Sequence, residues 1–450
     1  MKSINPATGE VIREFKNLNY EDCIRKLKQT KRTFLNWSKL PFSKRAKCLK
    51  HVAYLLKKNK QEYAKRITLE IGKPITESIK EIEKCAWVCE YFANNSEEML
   101  KDEFVKTEAK KSYVTFEPLG IIMGIMPWNF PFWQVFRFAV PALMAGNVCI
   151  VKHASNVPWC SSSIENIFNK AGMKNVYKNL LINSEIATKL IEREEISGVS
   201  ITGSVKVGKK IAEAAGKNLK RCVLELGGSD AYIILNDADL KNCCITAAKA
   251  RLINSGQSCI AAKRFIVVKS AAKKFEKAFI EQVKSMKLGN PMNKNTQIGP
   301  LAKHALVENL DHQVKDAIKN GAKVLYGGHK LKNNFYMPTV LTNVKNNMLI
   351  LNEETFGPVA PIIIVKDENE AIQTANNTKF GLGTSIWTKN LKKAEKLAKQ
   401  IQAGVISIND MVKSDPRLPF GGIKNSGFGR ELSHYGIKEF VNIKSIIIEG

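Results

Sequence analysis

Cys259 ends the segment Asn254-Ser255-Gly256-Gln257-Ser258-Cys259, and a cysteine in such a Gly/Ser-rich turn can be exposed with its thiolate held by nearby dipoles. The hexapeptide alone leaves a simpler reading open, that Cys259 is one buried thiol among ten. Upstream, Glu225 precedes Leu226-Gly227-Gly228, and a carboxylate there can serve as a general base, although a lone glutamate is usually just solvated. Pro127-Trp128-Asn129-Phe130-Pro131 closes an apolar run. Its Asn129 amide can donate to an oxyanion if its neighbours fix it; otherwise the segment is a rigid turn burying two aromatics. A thiol, a base and an amide donor are together what nucleophilic attack on a carbonyl requires.

A nucleotide reading starts from Gly203-Ser204-Val205-Lys206-Val207-Gly208-Lys209. The glycine spacing is that of a phosphate loop, but Lys210 stands where a magnesium-binding Ser or Thr belongs, so an ATPase is excluded. The segment still follows a β-like run and opens a helical one, and a helix N-terminus there would face a pyrophosphate. The six histidines and ten cysteines form no zinc spacing, so no metal site is expected.

These segments need a scaffold. From about residue 119 short apolar runs alternate with amphipathic stretches, the pattern of an α/β domain with a parallel sheet. Strands are expected at 121–125, 148–152, 199–202, 232–235, 265–268, 362–365 and 405–408. Helices are expected at 161–171, 206–215, 240–253, 272–286 and 391–401, and the first hundred residues read as lysine-rich helices at 20–35, 43–57, 63–72 and 77–92. The β-rich segments 112–117 and 440–449 lie outside this alternation and suggest a small extra sheet that joins subunits.

Composition bounds the function classes. The chain has 450 residues, 44% hydrophobic and 25% charged, which suits a globular protein of two or three domains. The formal charge of +28 comes from lysines spread over nearly every helical segment rather than gathered in a stripe, so a nucleic-acid partner is not expected. No apolar run reaches the roughly 18–20 residues of a membrane span, and the first residues carry no secretory h-region. A cytoplasmic protein with no membrane partner is the expectation.

Taken together, the segments resemble the aldehyde dehydrogenase superfamily. The resemblance rests on PWNFP (127–131), Lys152, ITGS (201–204), ELGG (225–228), GQSC (256–259), EETFGP (353–358), PFGG (419–422) and SGFGRE (426–431), in the family's order. The chain opens directly on INPATGE (4–10), and this with Trp133-Gln134-Val135-Phe136-Arg137 is similar to short-form succinate-semialdehyde dehydrogenases. The resemblance implies an α/β fold of two Rossmann-type parallel-sheet domains plus a small β oligomerisation element. Residues 1–101 and 120–226 would bind the dinucleotide, 227–430 would form the catalytic domain, and 102–119 with 436–450 would supply the oligomerisation strands of a homodimer or homotetramer.

It also implies roles. Cys259 would attack the aldehyde, Asn129 and the Cys259 N–H would hold the thiohemiacetal oxyanion, and Glu225 would activate the water that hydrolyses the thioester. Trp128, Lys152, Ser155, Gly203, Ser204, Glu354 and Phe356 would bind NADP or NAD. Ser155 stands where NAD-preferring members often carry a Glu that repels a 2′-phosphate, which favours NADP or dual use. Trp133 and Arg137 would contact the substrate. Arg137 is an isolated charge in an apolar stretch, and a ligand carboxylate would pair it, making succinate semialdehyde the leading substrate. Longer members carry a second arginine where Ile253 stands, and Arg251 is expected on another helical face. The rival functions are oxidation of another small aliphatic aldehyde and a thiol esterase that uses Cys259 without redox chemistry.

Overall fold

The computed structural model describes residues 1–450 and contains two sheets that carry the motifs. The first has the spatial order Gly427–Phe428, Arg221–Glu225, Ile196–Thr202, Ile121–Met126, Val148–His153, Tyr177–Asn179, all parallel except for the antiparallel edge strand Gly427–Phe428. Helices cover both faces of such a sheet, so its central strand is apolar, and Ile121–Met126 is buried at every residue. Chain order runs outward in both directions from that central strand, which makes it a topological switch point. Ligands in open α/β sheets lie beyond the carboxyl ends of strands at such a point. PWNFP follows Ile121–Met126, Gly203 and Ser204 follow Ile196–Thr202, and ELGG begins on the last residue of Arg221–Glu225. Three motifs scattered along the chain therefore meet at one edge.

The second sheet has the order Lys323–Tyr326, Thr339–Thr342, Val359–Val365, Arg264–Val268, Ala231–Ile234, Gly383–Trp387, Val405–Ile408, with only the first pair antiparallel. Edge strand Gly427–Phe428 returns from this part of the chain to pair with Arg221–Glu225, setting Gly427 opposite Glu225. The third sheet pairs Val441–Ile448 antiparallel with Lys111–Pro118, which also receives Glu103–Phe104. The two expected extra strands thus pair with each other. Ile443 and Ile447 on the last strand are 53% and 65% exposed.

All seven expected strands and all nine expected helices are present, with ends moved by a few residues. The helix expected at 77–92 is longer, Ile75–Met99. Tyr177–Asn179, Arg221–Glu225, Thr339–Thr342, Gly383–Trp387 and the helix His304–Lys319 fall outside the sequence expectation. The strands are too short or too polar for period-2 alternation to stand out, and tertiary burial rather than local pattern selects them. No helix is long and apolar enough to cross a membrane.

Helix Trp133–Met144 carries Arg137 and is buried at every residue. Its exposed-end problem is solved from outside: Glu81, on Ile75–Met99, accepts the N–H groups of Phe132 at 2.9 Å and Trp133 at 3.0 Å. Glu81 is in turn paired with buried Lys73. A buried ion pair of this kind is costly unless its remaining lone pairs are satisfied, and here the helix start satisfies them. The N-terminal helices therefore fix the helix that carries Arg137.

Candidate functional site

The segment before Cys259 runs through three consecutive left-handed residues: Asn254 (φ 49°), Ser255 (φ 56°) and Gly256 (φ 80°). Left-handed backbone costs an L-residue of order 1 kcal/mol or more and persists only where surroundings over-determine it. Here they do. Glu77 accepts the Asn254 N–H at 2.7 Å, and Asn254 Nδ2 donates to Asn129 O at 2.8 Å. Ser255 Oγ donates to Gly299 O at 2.9 Å, and Gln257 Oε1 accepts from Ala302 N–H at 2.9 Å. Arg251 is fully buried and donates to the carbonyls of Ala262, Gly256 and Gly357 at 2.9, 2.8 and 2.6 Å. A Cβ on Gly256 would strike the Gly357 carbonyl, so only glycine fits there. Arg251 thus lies on another side from the reacting groups, as expected, and its work is to hold this turn.

The turn sets Cys259 between two cavities. The first, about 240 Å³, is lined by Glu77, Lys80, Glu81, Lys84, Trp133, Arg137, Lys249, Ile253, Met411, Ser414 and Phe420 among others. The second, about 230 Å³, is lined by Trp128, Asn129, Thr202, Gly203, Ser204, Leu226, Gly227, Leu306, Glu354 and Phe356. Only Cys259 and Gln134 line both. A thiol so placed can meet one reactant from each side.

Asn129 is buried, and its Nδ2 donates to Gln257 O at 3.1 Å, which fixes the amide and leaves its second hydrogen for the cavity. The Cys259 N–H donates to no group in the chain. Two donors beside the thiol are what a developing oxyanion needs. Burial pushes the Cys259 thiol up to about 11, against the opposing charges of Arg137 and Lys263. In the free protein the sulfur is therefore a protonated thiol.

Glu225 lies in neither cavity lining. It is buried with Arg137 and Glu431: Arg137 Nη2 is 3.9 Å from Glu225 Oε2, and Arg137 Nε pairs with Glu431. Gly421 of PFGG abuts the group, since a Cβ there would come within 2.7 Å of Glu225 Oε1. Burial raises the Glu225 carboxyl well above its ordinary value; Arg137 opposes this and the Glu431 charge adds to it. Arg137 also lies over the Phe420 ring at 4.5 Å and donates to Thr202 Oγ1 at 3.3 Å. Arg137 thus has a carboxylate partner within the chain, Glu431, about 300 residues away in sequence, while it still lines the first cavity beside Cys259.

Arg137→Leu consequently has a different expected outcome from a lost substrate contact. It leaves Glu225 and Glu431 buried without their cation, a change worth about 3–5 kcal/mol of stability. Thermal unfolding should show this loss, and kcat should fall for charged and neutral aldehydes alike. A variant of unchanged stability that lost only affinity for acidic aldehydes would refute this account.

The second cavity has fixtures for a dinucleotide. Ser204 N-caps helix Val205–Lys217, so Gly203 and Ser204 bring a free helix start to its wall. Trp128 and Phe356 meet edge to face at 5.7 Å. Glu354 Oε1 is held by Gly228 N–H at 3.2 Å and by Lys263 Nζ at 3.0 Å, and the same Nζ donates to Cys259 O at 2.6 Å. Lys152 is half-buried, and burial and nearby Lys303 lower its ammonium; Ser155 is exposed. Neither Lys152 nor Ser155 lines the second cavity itself; the charged neighbour that acts on Lys152 is Lys303. A nicotinamide dinucleotide therefore fits the residues present. Lys84, Gln134, Lys263, Ser414 and Glu431 were not legible as site residues, because only the fold gathers them.

This cavity pair, set at the switch point of one sheet and the mouth of a second, defines a nucleotide-dependent enzyme with a cysteine nucleophile. The aldehyde dehydrogenase family profile matches residues 1–446, and the chain belongs to that family. A probable succinate-semialdehyde dehydrogenase [NADP(+)] from Synechocystis is 46% identical over 449 residues, 99% of both chains. A succinate semialdehyde dehydrogenase [NAD(P)+] from Escherichia coli is 41% identical over 447 residues, covering 99% of this chain and 97% of that one. The crystal structure of succinic semialdehyde dehydrogenase from Streptococcus pyogenes in complex with NADP+ superposes with TM-score 0.98 at 36% identity over the whole of both chains. The two-sheet α/β fold and the NAD(P)-dependent aldehyde dehydrogenase class expected from sequence are those of these relatives.

Proposed function

We propose that the protein oxidises succinate semialdehyde to succinate with NADP, and with NAD less well. One observation carries this reading: Cys259 joins a cofactor-type cavity to a second cavity whose lining holds Lys80, Lys84, Arg137, Lys249 and Lys413 against only Glu77 and Glu81. A cavity of that charge draws an anionic aldehyde toward the sulfur. The names of the Synechocystis and Escherichia coli relatives support the same substrate.

In this proposal the Cys259 thiol first gives its proton to solvent water, and the thiolate adds to the aldehyde carbon while Asn129 Nδ2 and the Cys259 N–H receive the oxyanion. When bound, the nicotinamide ring accepts the hydride released as the thiohemiacetal collapses to a thioester. Trp128, Gly203, Ser204, Glu354 and Phe356 hold that cofactor, with Lys152 and Ser155 at its adenosine ribose. Glu225 then turns from its cluster, takes a proton from water, and the resulting hydroxide displaces Cys259 as the acid leaves. Trp133 and Arg137 shape the aldehyde's side. The cofactor domain (1–101, 120–226), catalytic domain (227–430) and oligomerisation strands (102–119, 436–450) belong to the same reading. Exposed Ile443 and Ile447 support a homodimer or homotetramer joined through that last strand. Ten cysteines without a disulfide suit a reducing, cytoplasmic location.

The test is a panel of aldehydes against both cofactors, with Cys259→Ala as the blank. Succinate semialdehyde with NADP should give the highest kcat/KM. Preference for NAD by more than about tenfold, roughly 1.4 kcal/mol, would refute the cofactor assignment. Ester hydrolysis with no reduced cofactor from any aldehyde would establish the thiol esterase instead.

A further inference from the structure

Lys263 stands four residues after Cys259, just before strand Arg264–Val268, and its side chain is buried. Its backbone N–H donates to Asp230 O at 2.9 Å, which anchors the stem. Its Nζ donates to Cys259 O at 2.6 Å and to Glu354 Oε1 at 3.0 Å. One ammonium thus grips the backbone of the nucleophile and a carboxylate from the distant EETFGP segment. The same Nζ lies 6.0 Å from the centroid of the Phe356 ring, another wall of the second cavity.

Glu354 is fixed from its other side by ELGG. Gly228 N–H donates to Oε1 at 3.2 Å, and a Cβ on Gly227 would strike Oε2, so the carboxylate lies directly on the glycine turn. With Oε1 held by two donors, Oε2 is left for ribose hydroxyls. A carboxylate that carries the nicotinamide ribose also sets where the ring sits against the sulfur. A misplacement of about 1 Å can cost on the order of 10²-fold in rate. A cation that only neutralised Glu354 would need no hold on Cys259; Lys263 has both.

We propose that Lys263 is a positioning residue for hydride transfer: its ammonium keeps the ribose-binding carboxylate of Glu354 and the backbone of Cys259 in register. This rests on the reading that Cys259 is the nucleophile and that Glu354 holds the nicotinamide ribose. The charge also acts on the sulfur. Burial raises the Cys259 thiol, Arg137 and Lys263 lower it, and Glu354 and Asp230 add to the rise.

The first experiment measures NADP binding by calorimetry, without aldehyde, for the wild type, Lys263→Met, Glu354→Ala and the double variant. Lys263→Met should weaken NADP roughly tenfold beside an intact Glu354. In the Glu354→Ala background the same change should cost less than about twofold, because Lys263 acts through that carboxylate. Equal losses in both backgrounds overturn the proposal. Glu354→Ala with wild-type affinity overturns the reading beneath it, the ribose role of Glu354.

The second measurement is alkylation of Cys259 in the free enzyme. Lys263→Met should alkylate more slowly than wild type at every pH below the wild-type midpoint near 11, and Lys263→Arg should restore the wild-type profile. In a single turnover at saturating NADP, the first reduced cofactor should form roughly 10–100-fold more slowly in Lys263→Met. An unmoved alkylation profile together with a wild-type burst, in a variant that melts like wild type, overturns the positioning role. If Lys263→Met does not fold, Lys263→Gln, which keeps a donor without the charge, carries the same expectations.

Discussion

Cys259→Ala should abolish reduced-cofactor formation with every aldehyde, on the order of a 10⁶-fold loss if the loss matches that seen on removing another enzyme's nucleophile. The folded state should hardly notice. Cys259 is partly buried with its sulfur beside two cavities, so deleting the sulfur enlarges existing space and opens no new closed void, and stability should change little. Cofactor binding and melting temperature should stay near wild type while turnover vanishes. Nine other cysteines provide the internal control: Cys85, Cys89, Cys149, Cys160, Cys243 and Cys244, for example, are buried and cannot replace it. The thiol's pKa of about 11 adds a second measurement. Alkylation of the free enzyme at Cys259 should accelerate steadily from neutral pH toward 11, because only the thiolate reacts. Residual turnover in Cys259→Ala would mean that another group is the nucleophile.

Glu225→Gln should separate the two halves of the cycle. Attack by Cys259 and hydride release need no base at Glu225, so the variant should form one reduced cofactor per site in a burst and then stall. Steady-state kcat should fall about 10²–10⁴-fold, the usual contribution of a general base. Burial, strengthened by Glu431, raises the Glu225 carboxyl well above its ordinary value, so its basic form grows as pH rises through that raised value. Wild-type kcat should therefore increase with pH along a limb that Glu225→Gln lacks. The same shift has a sign in stability. A carboxyl whose folded pKa is raised favours folding at low pH and disfavours it as pH climbs from the unfolded value to the folded one. Glu225→Gln should then melt at the same or a higher temperature than wild type in alkaline buffer. A steady rate without a burst, equal to wild type, would remove Glu225 from the mechanism.

How much of this could be read in the sequence depends on whether local or distant residues decide each feature. The central strand Ile121–Met126 announces itself, because burial on all sides demands unbroken hydrophobicity, whereas the equally buried helix Trp133–Met144 falls outside the expected helices. The strand Arg221–Glu225 does not, having a charge at each end and owing its place to its neighbour Ile196–Thr202. Helix His304–Lys319 is similarly silent, yet its neighbourhood brings Leu306 to the cofactor side.

Cys259 shows the division most clearly. Its type, its glycine-rich turn and its order among the other motifs were enough to single it out from ten thiols, because motif chemistry is a property of short segments. That it joins two cavities, and that three left-handed residues held by Arg251, Glu77 and Asn129 present it there, follows only from contacts made across the whole chain. Arg137 shows the opposite case. An isolated arginine in an apolar helix correctly signals a missing carboxylate, since a buried guanidinium must be paired. Local sequence cannot say whether that carboxylate belongs to a ligand or to Glu431 on a distant loop. Packing supplied Glu431 as such a partner, and only the folded chain shows it.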